Sequence, residues 1–464
     1  MTLSNVIFMG LVLGLIGMAI TGLFFCLFYF LIYKCVLKGE KQISAGRVFS
    51  YIFFITYIFI VAAATIILRK NHNDVKRMSL QPFIQYRSAW FSCSMGEWRN
   101  IILNIIMFIP FGFMIPWLFA KLRSVWKVTV ISFAISLLIE SVQFFTRCGI
   151  FETDDLIHNT LGALIGSCIY QMFYDFVVKK KVWFGKIVLR LIPTLLTVAV
   201  FAGFYIHYKR MEFGIMSQTY ILKTNMSQIN IKNQVKLSEK RPKANIYKTA
   251  GRANADEMNA FAEKFMDNIN VTIDTDKTRK LDNLLYMYGK TSEDREVCLG
   301  VNSLALTYSY EEYSDTKNKR KEIGQKELRE KLKKLSIKIP EDAKFIEKEN
   351  GDRFFETGIQ VDGTMNLFGW IECSYYDDNT MAINNHIVNC KPVKCVSIIS
   401  EKEAFEQIKQ GKFRSENKID SLTILDVMIS YAMDSKGYLQ PVYKFEVLLN
   451  GENEEITIQA YQKH

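Results

Sequence analysis

The order of apolar and polar positions divides the chain at about residue 208. Before this point apolar runs follow one another and are separated by short polar loops. An α-helix needs about 20 apolar residues to cross the hydrocarbon core of a bilayer. The pattern therefore predicts about six transmembrane helices, at Leu3–Tyr33, Val48–Leu68, Asn100–Ala120, Val128–Phe145, Asp155–Val178 and Ile187–Tyr208.

The second half of the chain is polar and has the pattern of short helices and strands. Apolar residues at helical spacing predict helices at Asn254–Ile269 and Glu322–Ile339. Ser400 and Glu403 have the spacing of a capping box, which predicts a third helix. Alternating apolar positions with hairpin turn signals lie between and after these helices, so they predict antiparallel strands.

These patterns predict an all-α polytopic membrane domain followed by an α+β extracytoplasmic domain with antiparallel sheets. The membrane domain is expected at residues 1–208, a linker at 209–255 and the α+β domain at 256–464. One helix followed by a meander occurs twice in the second domain, which favours two subdomains at 256–345 and 346–464.

Basic residues decide the expected orientation in the membrane. The net charge is +11, and Lys and Arg are concentrated in the first, third and fifth loops between the predicted spans. Short loops rich in Lys and Arg remain in the cytoplasm. We therefore expect a multi-pass protein of the cell membrane with its C-terminal domain on the extracytoplasmic side. Because this explains the basic excess and no nucleic-acid motif is present, we expect no nucleic-acid partner.

The nine cysteines show no spacing that is typical of metal binding. Neither C-x-x-C nor a Cys/His pattern occurs, so no metal site and no cofactor are predicted. Cys298, Cys373, Cys390 and Cys395 lie in the polar half, and the sequence does not decide whether any of them pair.

Charged and amide side chains interrupt the apolar runs where spans three, four and five meet one face of the membrane. Ionisable residues inside a membrane are costly, which favours a function for them. We expect Arg147 to be the counter-charge of a carboxylate here, because a guanidinium binds carboxylates bidentately. The candidate binding pocket comprises Asn104, Glu140, Gln143, Arg147, Glu152, Asp154, Asp155 and Asn159.

Other residues of the same region favour a structural interpretation. Gly162 and Gly166 continue the stripe of Asp155 and Asn159 into the membrane, and small residues at this spacing are typical of packed transmembrane helices. His158 has no convergent set of ligands, so a surface or interface position is expected for it.

Three segments of the membrane half resemble the VanZ-like membrane family. They are "NIILNIIMFIPFGFMIPWL" at Asn100–Leu118, then "ESVQFF", then "ETDDLIHNTLGALIG". The family pattern has an Asn-rich helix that runs into a Phe/Ile-x-Pro-x-Gly element. A Glu-x-x-Gln, an Arg and an acidic-x-Asp-Asp-x-x-x-Asn-x-x-Gly signature follow. These positions are Asn104, Pro110, Gly112, Glu140, Gln143, Arg147, Glu152, Asp154, Asp155, Asn159 and Gly162, with Glu152 where the pattern has Asp.

The resemblance covers about residues 48–208 and implies a bacterial cell-envelope protein. The family takes its name from a protein that confers low-level resistance to the glycopeptide teicoplanin. The polar half is similar in pattern to the extracytoplasmic domains of Gram-positive proteins that restrain an envelope-stress sensor kinase. Pro110, Gly112, Gly162 and Gly166 are then structural residues of the membrane domain.

Three functions fit these observations. The preferred one is an envelope protein that binds a lipid-linked peptidoglycan precursor or a glycopeptide at the outer face and contributes to teicoplanin resistance. Its partners would include membrane lipid and an envelope protein bound by the C-terminal domain. The second is a membrane-embedded hydrolase or transferase acting on a lipid-linked phosphate, although no motif supplies a nucleophile. The third is an envelope regulator or sensor that acts through the C-terminal domain.

Overall fold

The computed structural model describes residues 44–462 with internal gaps, and Gly22 before them. The gaps are residues 64, 66–77, 94, 181–182, 217–224, 282, 314–318, 338, 349–350, 359–365 and 414–417. The chain forms two units. The membrane unit extends to Met211, and the C-terminal unit comprises Glu212–His464 together with Phe91–Cys93.

The membrane unit is helical. Among the described residues, four helices are long and apolar enough to cross a membrane, and they correspond to the last four predicted spans. The predicted Val48–Leu68 span is a shorter helix, and the predicted Leu3–Tyr33 span lies, apart from Gly22, outside the described residues, so the count of six is not confirmed. The helices are α1 (Ala45–Ala62), α2 (Ile84–Ser92), α3 (Met95–Leu118), α4 (Val125–Thr146), α5 (Thr153–Phe173, continued by π-helical Tyr174–Val178) and α6 (Phe184–Arg210).

The described residues from Met78 to Ser92 contain regular structure, although the sequence pattern predicts a loop there. They contain β1 (Met78–Ser79) and α2, and β1 pairs in parallel with β2 (Phe151–Glu152) just before α5. Pro110 and Pro116 lie inside α3, which is helical from Met95 to Leu118. The start of α5 is thus fixed by a segment that precedes α3 in the chain.

The C-terminal unit is built on antiparallel sheet. Its helices are α7 (Ala255–Asn268), α8 (Gln325–Lys334) and α9 (Glu401–Lys409), and both the α7 and the α9 starts have a capping box. Apart from one parallel pair between β3 and β14, the strand pairs are antiparallel. The strands are β3 (Asn230–Asn233), β4 (Lys243–Lys248), β5 (Thr272–Leu281), β6 (Leu284–Lys290), β7 (Glu296–Asn302), β8 (Tyr308–Glu312), β9 (Lys344–Glu347), β10 (Arg353–Thr357), β11 (Asn366–Tyr375), β12 (Met381–Asn385), β13 (Val388–Ser397), β14 (Ser421–Met433), β15 (Tyr438–Leu449) and β16 (Glu452–Gln459).

Two hydrophobic cores divide the C-terminal unit differently from the predicted subdomains. Residues 258–383 form the first core, in which α7 and α8 pack on β5–β12. Residues 213–246 and 396–460 form the second core around α9. The first core is thus inserted into the second, and the division does not fall at residue 345. The predicted linker 209–255 contains β3 and β4, and Ile246 is fully buried between strands distant in sequence.

The four cysteines whose pairing the sequence leaves open form no disulfide among the described residues. Cys298, Cys373 and Cys390 are buried in the sheet, and Cys395 is exposed.

Candidate functional site

The site is organised by a close contact between α3 and α5. Gly112 on α3 faces the Ala163 backbone, and Gly162 and Gly166 on α5 face the α3 backbone at Ile105 and Ile109. A Cβ atom at any of these three glycines would lie under 3.0 Å from a carbonyl oxygen of the other helix. Such contacts are typical of small residues between transmembrane helices. They bring the polar start of α5 directly beside the first turns of α3.

Asp154 caps the start of α2. Its carboxylate accepts hydrogen bonds from the backbone N–H of Phe83 and, at 2.7 Å, from that of Gln85. The first N–H groups of a helix have no partner within the helix, and a carboxylate there also interacts favourably with the helix dipole. Asp154 is 1% exposed. We therefore assign it a structural role, which is to hold α2 against the start of α5.

Asp155 is the point where α2, α3 and α5 meet. Its Oδ1 atom accepts hydrogen bonds from Asn104 Nδ2 at 2.7 Å and from Gln85 Nε2 at 2.9 Å. Gln85 Nε2 also donates to Glu152 Oε2 at 2.7 Å. The Oδ2 atom of Asp155 accepts no hydrogen bond from the described residues, and it is not among the fully enclosed unpaired atoms. One oxygen is therefore fixed by two amides, and the other is available to a ligand.

The remaining polar residues of α4 and α5 connect these two helices to their surroundings. Glu140 is buried, and its Oε2 atom accepts the backbone N–H of Glu152 at 3.0 Å, where α5 begins. Gln143 Nε2 donates to the Thr65 carbonyl at 2.8 Å, and Asn159 Nδ2 donates to Ser136 Oγ at 2.9 Å. Five of the eight predicted pocket residues thus join one hydrogen-bonded network with Gln85, namely Asn104, Glu140, Glu152, Asp154 and Asp155. Gln143 and Asn159 form separate contacts with Thr65 and Ser136.

Arg147 is the predicted pocket residue that lies outside these buried contacts. It ends α4 in the left-handed backbone conformation (φ 59°), and its side chain is exposed. Within the described part of the chain no carboxylate lies within ion-pair distance of its guanidinium. The expected pairing with Glu140, Asp154 or Asp155 is therefore absent. The Asp154 carboxylate instead accepts backbone N–H groups and Asp155 Oδ1 accepts two amides, while Arg147 forms no ion pair with a described residue.

Two residues of this region were not identified from the sequence. Gln85 lies on α2, in a segment without a clear apolar period, and nothing in the local sequence indicates its role. His158 is fully buried, not at the surface, and its ring packs edge-on against Tyr86 with the centroids 5.3 Å apart. Neither ring nitrogen of His158 has a hydrogen-bond partner among the described residues. His158 lies one turn after Asp154 and Asp155 on the same helix, and this spacing could have indicated that it shares their buried face.

Aromatic side chains indicate the depth of the site in the membrane. Trp98 in the first turn of α3 packs on Phe204 near the end of α6, with the centroids 5.0 Å apart. Trp90 on α2 stacks on His207 at 5.6 Å. Trp and Tyr concentrate at membrane–water interfaces. We therefore expect the Asp155 region at the level of the lipid headgroups. In the residues covered by the structure, no group of three or more His, Cys, Asp or Glu side chains is arranged to hold a metal ion.

Comparisons with known proteins agree with the family resemblance. Residues 48–174 match the family model described as VanZ/LLP1. Protein VanZ of Enterococcus faecium is 26% identical over 141 residues, which are 30% of this chain and 81% of that protein. The matched range includes all eight predicted pocket residues and Gln85.

A solved structure, the C-terminal domain of YpeB from Bacillus megaterium, is 12% identical and covers 46% of this chain and 94% of that domain. Its TM-score of 0.24 is too low to support a statement about this chain. The membrane unit contains the family match, the apolar helices and the predicted signature residues. Residues 48–174 are therefore similar to the VanZ/LLP1 family, and a C-terminal domain rich in antiparallel sheet follows them.

Proposed function

We propose that this envelope protein binds the headgroup of a lipid-linked peptidoglycan precursor at the outer membrane face and thereby contributes to teicoplanin resistance. The observation that carries the proposal is the arrangement around Asp155. Side chains from α2 and α3 fix one of its oxygens, and the other is left unpaired. A carboxylate that is oriented in advance at headgroup depth is suited to bind hydroxyl or amine groups.

Arg147 is the anion-binding residue in this proposal. It lies one turn beyond Gln143 on α4, and it is exposed and free of ion pairs with described residues. A guanidinium binds phosphate bidentately and remains charged at all physiological pH values. A lipid phosphate can therefore bind Arg147 while its headgroup extends toward Asp155. A precursor that is bound to this protein would be less accessible to the glycopeptide.

The positive-inside rule supports an outer position for the site. The membrane face opposite to Asp155 is formed by the end of α3, the start of α4, the end of α5 and the start of α6. Lys and Arg concentrate on that face, which indicates the cytoplasm. The chain leaves α6 on the other face, and the C-terminal unit is then extracytoplasmic. The basic residues described on the cytoplasmic face are Lys121, Arg123, Lys127, Lys179, Lys180, Lys186 and Arg190.

We expect a membrane-impermeant maleimide to label Cys395 on intact cells. Burial raises the pKa of the Cys373 thiol to about 12 and that of Cys390 to about 11, so these buried thiols react slowly. Cys395 is exposed in the C-terminal unit. The Cys395→Ser variant should lose the corresponding label. If Cys395 reacts only after the cells are permeabilised, the proposed orientation is wrong.

Binding of the precursor is tested with two variants that each remove one exposed positive charge. We expect Arg147→Ala to weaken binding of a lipid-linked precursor to the protein in nanodiscs by about tenfold or more, because a charge-assisted bidentate contact is lost. Lys186→Ala removes a charge from the exposed start of α6 at the opposite face and should leave the affinity unchanged. Equal effects of the two variants would refute a specific role for Arg147.

The link to resistance is tested in cells. Expression of the protein in a susceptible Gram-positive host should raise the teicoplanin concentration that inhibits growth. The Arg147→Ala variant, expressed at the same level, should not. Deletion of the residues after Met211 then shows whether the C-terminal unit is needed. If it is needed although precursor binding persists, an envelope partner of that unit becomes the better explanation of its role.

A further inference from the structure

The buried face of α4 is polar, which is the reverse of an ordinary packed helix. Its buried residues are Val128, Ser132, Ser136, Glu140 and Gln143, at spacings of four, four, four and three. Large apolar side chains of the same helix point outward, as lipid requires. We call the line of Ser132, Ser136 and Gln143 on α4 with Asn159 on α5 the polar seam.

Three atoms of the polar seam have no hydrogen-bond partner within the described chain. They are Ser132 Oγ, Gln143 Oε1 and Asn159 Oδ1, and these residues are 0%, 1% and 3% exposed. A polar atom that is buried at membrane depth without a partner is strongly unfavourable, because lipid offers none. Buried atoms of this kind call for an occupant that the polypeptide does not supply.

The two amides define the chemistry of the occupant. Gln143 and Asn159 already use their NH₂ groups, toward the Thr65 carbonyl and Ser136 Oγ. The Gln143 amide must direct its NH₂ group at the Thr65 carbonyl. This carbonyl can only accept a hydrogen bond, and it would repel the amide oxygen of Gln143. The unpaired oxygens of both residues can only accept. The unpaired Oδ2 of Asp155 lies on α5 one turn before Asn159 and adds a third acceptor.

We infer that the polar seam is a water-accessible crevice that receives the hydroxyl or amine groups of a lipid headgroup whose phosphate binds Arg147. A row of acceptors matches a row of donors, and Arg147 lies one turn beyond Gln143 at the membrane surface. The inference rests on the proposed function and specifies its ligand: a phosphate lipid with hydrogen-bond donors next to the phosphate.

Accessibility of the polar seam is tested with the full chain reconstituted in phosphatidylcholine vesicles, because the choline headgroup has no N–H or O–H donor. Ser136→Cys places a thiol in the seam, and Leu137→Cys places one on the lipid side, where Leu137 is 39% exposed. The two positions differ by only about 1.5 Å in depth. A cationic methanethiosulfonate reagent should label the Ser136→Cys protein at least about tenfold faster, since thiols ionise only in a polar environment. Equal rates, measured above the labelling of the unsubstituted chain, would overturn the inference.

The ligand class is tested by protection of the same thiol. A sugar-bearing polyprenyl phosphate, at about five times its Kd, should slow labelling of the Ser136→Cys protein about sixfold. Phosphatidylethanolamine carries one donor group next to its phosphate, and position 136 lies roughly 16 Å from Arg147 along α4, so this lipid should not protect. Protection by bare polyprenyl phosphate or by phosphatidylethanolamine, or no protection by the sugar-bearing lipid, would overturn the inference.

The two hypotheses fail in different ways. If a precursor lipid binds in an Arg147-dependent manner but leaves the labelling rate unchanged, the proposed function stands and the crevice does not receive the headgroup. If no lipid-linked precursor binds and Arg147→Ala has no effect, the proposed function fails. A rapidly labelled thiol at position 136 would then still establish that the seam is hydrated.

Discussion

Replacement of Gly162 by alanine is expected to destabilise the membrane unit, because the added methyl group meets the backbone of α3. The new Cβ atom would lie under 3.0 Å from the Ile105 carbonyl oxygen, and the obstacle is backbone that no side-chain rotation can relieve. The two helices would have to separate along the contact that positions Asn104 beside Asp155. We expect a loss of about 3 kcal/mol in the free energy of unfolding, as for overpacking of a tight interior.

Gly203 provides the matched control. It lies inside α6, and a Cβ atom there would meet nothing within 4 Å. Alanine is a better helix former than glycine by about 1 kcal/mol, so Gly203→Ala should be neutral or slightly stabilising. The measurement is the unfolding free energy of both variants in mixed detergent micelles. Equal stability of the two proteins would show that the α3–α5 contact is not as close as the structure indicates.

The same glycines show how much of the site could be predicted from sequence. The spacing of Gly162 and Gly166 on the stripe of Asp155 and Asn159 predicts helix packing, and in the structure both glycines face the α3 backbone. Helical periodicity fixes which residues share a face, so it brings Asn159 into the interface between α4 and α5. Convergence of residues within one helix, or between helices joined by a short loop, is therefore predictable.

The partners of the carboxylates could not be predicted, since they depend on a segment without periodicity. Gln85 and the N–H groups at the start of α2 satisfy Asp154 and Asp155, and they precede these residues by about 70 positions in the chain. The chemistry of a guanidinium favours Arg147 as their partner, but it does not show which side chains reach the carboxylates in the fold. The same limit applies to the C-terminal unit. There β4 pairs with β13, and the core of 213–246 is completed by residues beyond 396.

Asp154 and Asp155 are adjacent and chemically identical, yet we expect opposite results when each is changed to asparagine. Asp154 accepts two backbone N–H groups at the start of α2. Asparagine keeps one acceptor and directs its NH₂ group at the second N–H, so the cap is lost. We expect Asp154→Asn to cost about 2 kcal/mol and to increase hydrogen exchange in the α2 amides.

Asp155→Asn should leave the fold intact and remove the function. Asparagine retains the Oδ1 acceptor for Asn104 and Gln85, so the unfolding free energy should change by less than about 1 kcal/mol. Its NH₂ group, however, replaces the free Oδ2 acceptor and opposes any hydroxyl or amine of a ligand. Binding of a lipid-linked precursor in nanodiscs should therefore fall by about tenfold or more, with exchange of the α2 amides unchanged. A variant that binds normally would mean that Asp155, like Asp154, only connects helices, because a ligand-binding carboxylate cannot exchange its free oxygen for a donor without loss of affinity.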